Sequence, residues 1–312
     1  MSFTAKTSAP STLALFGEHA VLHGNLAISC ALDLRIHVEL ETTPTKDITI
    51  HSNLGTISFP ISDIPSNPQF SFVLESIRRF QKVIHCGFSL KITSEFSSTV
   101  GLGSSAAVTV ATLGCLYALC HNSSDAHKIF EHALKVIEKV QGYGSGLDLA
   151  ASVFGGIIAY KKDPQYIEKL QPLLPITCIF SGSKMKTPEV IQKVQSLSNR
   201  HPEVTMPIFS TINSISIKAR DAIIKEDMEA LGQLMNIHHG LLDALGVNNK
   251  ALSEIAFELR SDSNIYGSKI SGSGLGDCVI GLGKALHFPL DYEQIPVSMS
   301  QSGLKVIFYE NH

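Results

Sequence analysis

Val100-Gly101-Leu102-Gly103-Ser104-Ser105-Ala106-Ala107 is the stretch whose reading decides the fold. Before it, Phe88-Ser89-Leu90-Lys91-Ile92 alternates apolar and polar, as a half-buried strand does. After it, residues 106–120 are small and apolar with no proline, which predicts a buried helix. The glycines thus lie between a strand end and a helix start. Gly101 and Gly103 permit backbone angles closed to other residues. Ser104 and Ser105 fall in the first helical turn, where N–H groups lack partners and the dipole favours an anion. Together these features suggest a phosphate site. A glycine turn with a serine N-cap is the plainer alternative. The P-loop pattern needs a lysine after its last glycine, and this loop has none. The dinucleotide pattern fits Gly101, Gly103 and Ala106 only loosely. It requires a second strand ending in an acid about 20 residues on, where residues 125–141 read instead as a helix.

The chain has 312 residues, which favours two domains over one. A hydrophobic share of 44% is enough for a full core. A net charge of −3, with no long run of like charges, argues against nucleic acid or an anionic membrane as main partner. Six cysteines (30, 86, 115, 120, 178 and 278) are scattered without C-x-x-C spacing. That pattern predicts reduced thiols and a cytoplasmic setting. No signal peptide and no apolar run of ~18 residues is expected.

Outward from the glycine loop, Thr12–Phe16 reads as a short strand that enters the turn Gly17-Glu18-His19-Ala20-Val21-Leu22-His23-Gly24. Strands follow over 26–41, and a hairpin over 48–51 and 55–59. Residues 70–83 and 125–141 carry apolar positions at helical spacing, and Asp125 is placed to cap the second of these. Two further glycine-rich loops lie at Gly142–Asp148 and Gly267–Asp277. Prolines 164, 172 and 175 mark a boundary between a first domain, 1–165, and a second, 170–312. Helices are expected over about 187–197, 206–225, 228–239 and 250–260, with a closing strand over 303–309. Mixed runs of strands and helices in two halves favour an α+β class. Several glycine-rich loops around one cleft suit a nucleotide and its acceptor.

The motifs in order are Ala9-Pro10, Gly17 to Gly24, Gly101 to Ala107, Ser145-Gly146-Leu147-Asp148 and Gly272-Ser273-Gly274-Leu275-Gly276-Asp277-Cys278. This series resembles the GHMP small-molecule kinases over nearly the whole chain. The Phe16–Val21 turn and the Asn236–Val247 segment resemble the mevalonate-kinase branch. The resemblance implies a two-domain GHMP kinase fold, with an N-terminal half like ribosomal protein S5 domain 2 and a ferredoxin-like C-terminal half. It also implies ATP and Mg²⁺ as cofactors, a small-molecule acceptor of the mevalonate type in isoprenoid synthesis, and a homodimer as one assembly. By resemblance, Gly101, Leu102, Gly103, Ser104, Ser105 and Ala106 hold the nucleotide phosphates, and Ser105 offers its hydroxyl to Mg²⁺. Asp148 takes or orients the acceptor proton. Glu18, His19, Thr187, Gly272, Ser273 and Gly274 face the acceptor.

Each position has a structural alternative: a helix cap for Asp148 and Thr187, a solvated turn for Glu18. His238 and His239 read as packing and charge complement at a helix end, not as metal ligands. The chain also departs from the family. Thr12 stands where the family has a lysine, and a threonine carries no charge. Ser98-Thr99-Val100 replaces the usual Pro-x-Gly-x. Ile137 replaces a metal-binding glutamate. Glu138, one residue on, is the remaining candidate for the metal, although the helical pattern sets it beside Glu131 on the wet face. Gln141 to Asp148 and Gly276-Asp277 resemble phosphomevalonate kinases. Three readings stay open: a kinase acting on mevalonate, a kinase acting on phosphomevalonate, and a binding protein without turnover.

Overall fold

The computed structural model describes residues 2–311. Its elements follow the two periodicities of the sequence. Strands β1 (Ser2–Phe16), β2 (Ala27–Thr43), β3 (Asp47–Ser52), β4 (Gly55–Pro60), β5 (Gly87–Ser94), β6 (Ile157–Lys161) and β7 (Tyr166–Leu170) build the first sheet, and β12 (Lys305–Asn311) returns from the C-terminus to join it. All pairings in this sheet are antiparallel except β3 with β5. Helices α1 (Ser71–Phe80), α2 (Ser104–His121), α3 (Ala126–Gln141) and α4 (Leu147–Phe154) cover it. The second sheet runs β11 (Glu293–Ile295), β8 (Ile176–Phe180), β10 (Cys278–Gly283), β9 (Ile265–Ser271). It packs with α5 (Thr187–Arg200), α6 (Pro202–Ile224), α7 (Met228–Ala244) and α8 (Lys250–Ser261). This is the α+β class expected from the mixed runs of strands and helices, built on two sheets.

Several bounds differ from expectation for physical reasons. β1 begins ten residues earlier than Thr12 because β2 and β12 both pair with its first half. Pro10 sits inside this strand beside a register shift between Pro10 and Thr12, where a missing N–H is tolerated. The proline-marked segment 161–175 holds β7, since its prolines flank the strand and spare its interior. α6 starts at Pro202, in the first turn, where the absent N–H costs nothing. Because β12 pairs with β1, the second half of the sequence contributes to both sheets.

α2 is long and apolar enough to cross a membrane by length and composition alone. Here it is the central helix of the first core, with Ala107, Val110, Ala111, Leu113 and Leu116 fully buried. A second apolar cluster joins the halves: Leu13, Phe16, Val100 and Leu102 from one side meet Cys178, Ile215, Cys278 and Ile280 from the other. That shared core sets the two walls of the cleft described next.

Candidate active site

The glycine loop is anchored by its apolar residues. Val100 and Leu102 are buried in the shared core, and the Thr12 N–H donates to the Leu102 carbonyl at 3.1 Å. Gly103, at φ 65°, is the N-cap of α2. A Cβ there would lie 2.0 Å from Thr12 Oγ1, so only glycine fits. The first-turn N–H groups of Ser104, Ser105 and Ala106 cannot be satisfied within the helix and line the cleft. The register shift beyond Pro10 re-aims Thr12, whose hydroxyl donates to Asp148 Oδ1 at 3.0 Å.

Asp148 is the second residue of α4, and Gly146 is the N-cap, so Asp148 is not the cap. Its side chain opens into the cleft. The enclosing walls remove much of its hydration and raise its pKa. The Thr12 hydrogen bond and the Lys184 charge act the other way.

The cleft has a volume of about 630 Å³. It brings together Thr12, Glu18, His19, Gly101, Gly103 to Ala106, Asp148, Thr187, Gly272, Ser273 and Asp277. Of the other expected residues, Leu102 lies beneath the loop in the core, and Gly274 packs on Val247. Thr187 is the first residue of α5; the cap position is Lys186. His19 joins the two halves: its Nε2 meets the Ser273 carbonyl at 2.9 Å and must carry the proton there. Burial lowers the His19 pKa, partly offset by that bond.

Glu18 reaches the cleft wall but is not a free carboxylate. Lys269, fully buried on β9, donates to its Oε1, and His238 Nε2 lies 3.6 Å from Oε2. Burial, then the Lys269 charge, pushes His238 well below the ordinary range. It is therefore neutral and packs on Phe16 at 5.9 Å between ring centres, so it supplies packing but no helix-end charge.

Residues 71–156 match the family "GHMP kinases N terminal domain", and residues 219–286 match "GHMP kinases C terminal". The chain is 36% identical over 296 residues to a mevalonate kinase of Pyrococcus furiosus, covering 88% of each. The chain belongs to the GHMP kinases. The solved mevalonate kinase of Methanococcus jannaschii superposes with a TM-score of 0.79 at 25% identity, over 94% of this chain and 98% of that one. The Lin0012 protein of Listeria innocua shares the fold, with a TM-score of 0.87 at 22% identity over 99% and 100%. This GHMP kinase is thus a phosphotransferase, and its family uses ATP.

The open first turn of α2 suits phosphate oxygens, and the absence of a Cβ at Gly101 and Gly103 lets the loop lie against Asp277 and Thr12. An apolar pocket of about 230 Å³ adjoins it, with Phe70, Phe72, Ile92 and Phe96 in its walls and Ser104 and Ser105 shared with the main cleft. For a metal the donors are oxygens. No cluster of three or more His, Cys, Asp or Glu side chains occurs among the described residues. Mg²⁺ prefers oxygen ligands and keeps several waters, so one hydroxyl beside phosphate oxygens can hold it. Ser105 fits this role by position. The structure does not bring Glu138 to the cleft: it pairs with Lys162 at 2.9 Å on the outer face of α3, while Ile137 lines the cleft. Glu138→Gln is expected to leave the Mg²⁺ dependence of ADP release unchanged and to cost at most ~1 kcal/mol in urea unfolding, as for an exposed ion pair.

Asp277, Lys184 and Lys269 were not singled out as site residues by the sequence. A lone lysine in the small and apolar run Gly267-Ser268-Lys269-Ile270-Ser271 is the signal that marks Lys269. Asp277 is 5% exposed, has φ 61°, and its Oδ1 has no hydrogen-bond partner. It packs against Gly101. Burial pushes its pKa up from 3.8 to about 6, with Lys184 opposing and Asp148 adding. The native state therefore binds this proton more tightly than the unfolded chain does. Stability is lost as pH rises through that window. Asp277→Asn tolerates the left-handed backbone. It should stabilise the ligand-free protein at neutral pH by on the order of 2–3 kcal/mol. Thermal melts against pH should show this gain vanish below about pH 4.

Proposed function

We propose that this kinase transfers the γ-phosphoryl group of ATP to the 5-hydroxyl of mevalonate, with Mg²⁺. The reading is carried by the full-length similarity to mevalonate kinases. The placement of Asp148 opposite an open helix N-terminus in one cleft is the geometry that supports it. The N–H groups of Ser104 to Ala106 hold the phosphates, and the apolar pocket beside them takes the base. Bound Mg²⁺ would neutralise charge on the phosphates, with Ser105 as the protein oxygen. Asp148 accepts the acceptor hydroxyl proton as that oxygen bonds to phosphorus. The bond from phosphorus to the β,γ-bridging oxygen breaks, and ADP leaves. His19 ties the acceptor loop at Ser273 to the Glu18 turn, so the two halves present the acceptor side jointly.

The test is ADP release with ATP·Mg²⁺ and a panel of acceptors, including mevalonate, phosphomevalonate, homoserine and galactose. Turnover with mevalonate is the expected result. Turnover with phosphomevalonate alone moves the assignment to that acceptor, which Gly276-Asp277 and the cleft lysines 184 and 186 favour. Nucleotide binding with no ADP from any acceptor overturns the kinase reading.

A further inference from the structure

Thr12 leaves the first wall of the cleft without a cation, yet phosphoryl transfer spreads negative charge that positioned cations stabilise. The lysines that line the cleft are Lys184 and Lys186, and the buried Lys269 is taken up by Glu18. Lys184 is the one tied to the glycine-loop side. It lies on the segment between β8 and α5 and lines the cleft with Thr12 and Asp148. Its only hydrogen bond among the described residues is from Nζ to the uncharged Ser98 carbonyl, at 3.0 Å, across the cleft at the start of the glycine loop.

The Lys184 backbone is held in place from the Asp277 side. The Asp277 N–H donates to the Ser183 carbonyl at 2.8 Å, and the Ser181 N–H donates to the Asp277 carbonyl at 2.9 Å. A Cβ on Gly276 would lie 3.0 Å from Lys184 Cα, so only a glycine lets this segment lie so close.

We propose that Lys184, carried by the second half of the chain, supplies beside Asp148 and the transferred phosphoryl group the positive charge that Thr12 cannot. Asp277 is its positioning residue, through the backbone clasp. The proposal rests on the kinase reading above. A flexible ammonium needs no fixed fork geometry, so it can exchange the Ser98 carbonyl for a phosphoryl oxygen when nucleotide fills the cradle. The Lys184 charge is already felt at both carboxyls, where it offsets part of the rise in pKa that burial causes at Asp148 and Asp277. The base and its cation then sit on opposite walls, so the charge is complete only while the two halves are docked.

The experiment compares the full-length wild type with Lys184→Met, Lys184→Arg and the double variant Thr12→Lys/Lys184→Met. Steady-state ADP release is measured with the accepted acceptor, and ADP binding by calorimetry. Lys184→Met should lower kcat by about 10²–10³-fold while ADP affinity stays nearly unchanged. Lys184→Arg should retain most of the rate, and adding Thr12→Lys should recover at least about tenfold over Lys184→Met.

Near wild-type kcat in Lys184→Met overturns the proposal, as does a loss explained by weaker ADP binding. A second readout is independent of turnover. In protein with ¹³C-labelled aspartate carboxyls, Asp148 should titrate at higher pH in Lys184→Met than in wild type. An unchanged titration overturns the proposal even if the acceptor panel has failed. A wild type inactive on every acceptor, with Asp148 shifted as expected, overturns the kinase reading alone.

Discussion

Asp148→Asn is expected to lower kcat for phosphoryl transfer by about 10²–10⁴-fold, the range lost with a positioned base. The substitution keeps shape and removes only the capacity to take a proton. Thr12 Oγ1 can still bond the amide oxygen, and Gly146 remains the cap of α4. Nucleotide affinity should therefore be kept, because the N–H groups proposed to hold the phosphates belong to α2, a different helix. Single-turnover ADP formation with calorimetry on the same preparation checks both halves of the expectation. A residual rate within about tenfold of wild type would mean that Asp148 only orients the hydroxyl. The pH profile carries a further sign. Loss of hydration between the cleft walls raises the Asp148 pKa, so the acid limb of kcat/KM should lie above the ordinary carboxylate range.

Lys269→Met should give the largest stability loss, about 3–5 kcal/mol. Lys269 and Glu18 are 0% and 4% exposed, and they meet across the junction between the first turn and β9. Removing the lysine leaves Glu18 buried with neutral His238 as its remaining neighbour at 3.6 Å. Glu18→Gln in the same chain should restore part of the loss, since a neutral amide tolerates burial better than an unpaired carboxylate. Urea unfolding of both single variants and the double variant gives the coupling directly. Additive losses would show that the pair is not coupled.

Local chemistry made some elements readable in advance. Asp125 caps α3, accepting from the N–H groups of His127 and Lys128, and the apolar stripe from Ile129 to Ile137 is buried as its spacing requires. The β3–β4 hairpin and the entry to α2 also follow from alternation and glycine placement. α4 was not legible: after Gly146 it has only eight residues, mostly apolar, with no polar stripe to set a period. β7 was hidden by the prolines around it. The early start of β1 depends on two partner strands, one about 300 residues away, which no local pattern encodes.

The glycine turn that opens α2, the order of the glycine loops and the family were legible in the residues alone, because each rests on neighbouring residues and backbone freedom. The sequence also showed that a lysine is missing at Thr12. Tertiary structure decided what the site does about that. The Thr12–Asp148 bond spans 136 positions and depends on a register shift in β1. The Lys269–Glu18 pair spans 251. Lys184 reaches the glycine loop only because the shared core docks one half on the other. Charges in a cleft act through space, and their distances are set by packing between segments remote in sequence.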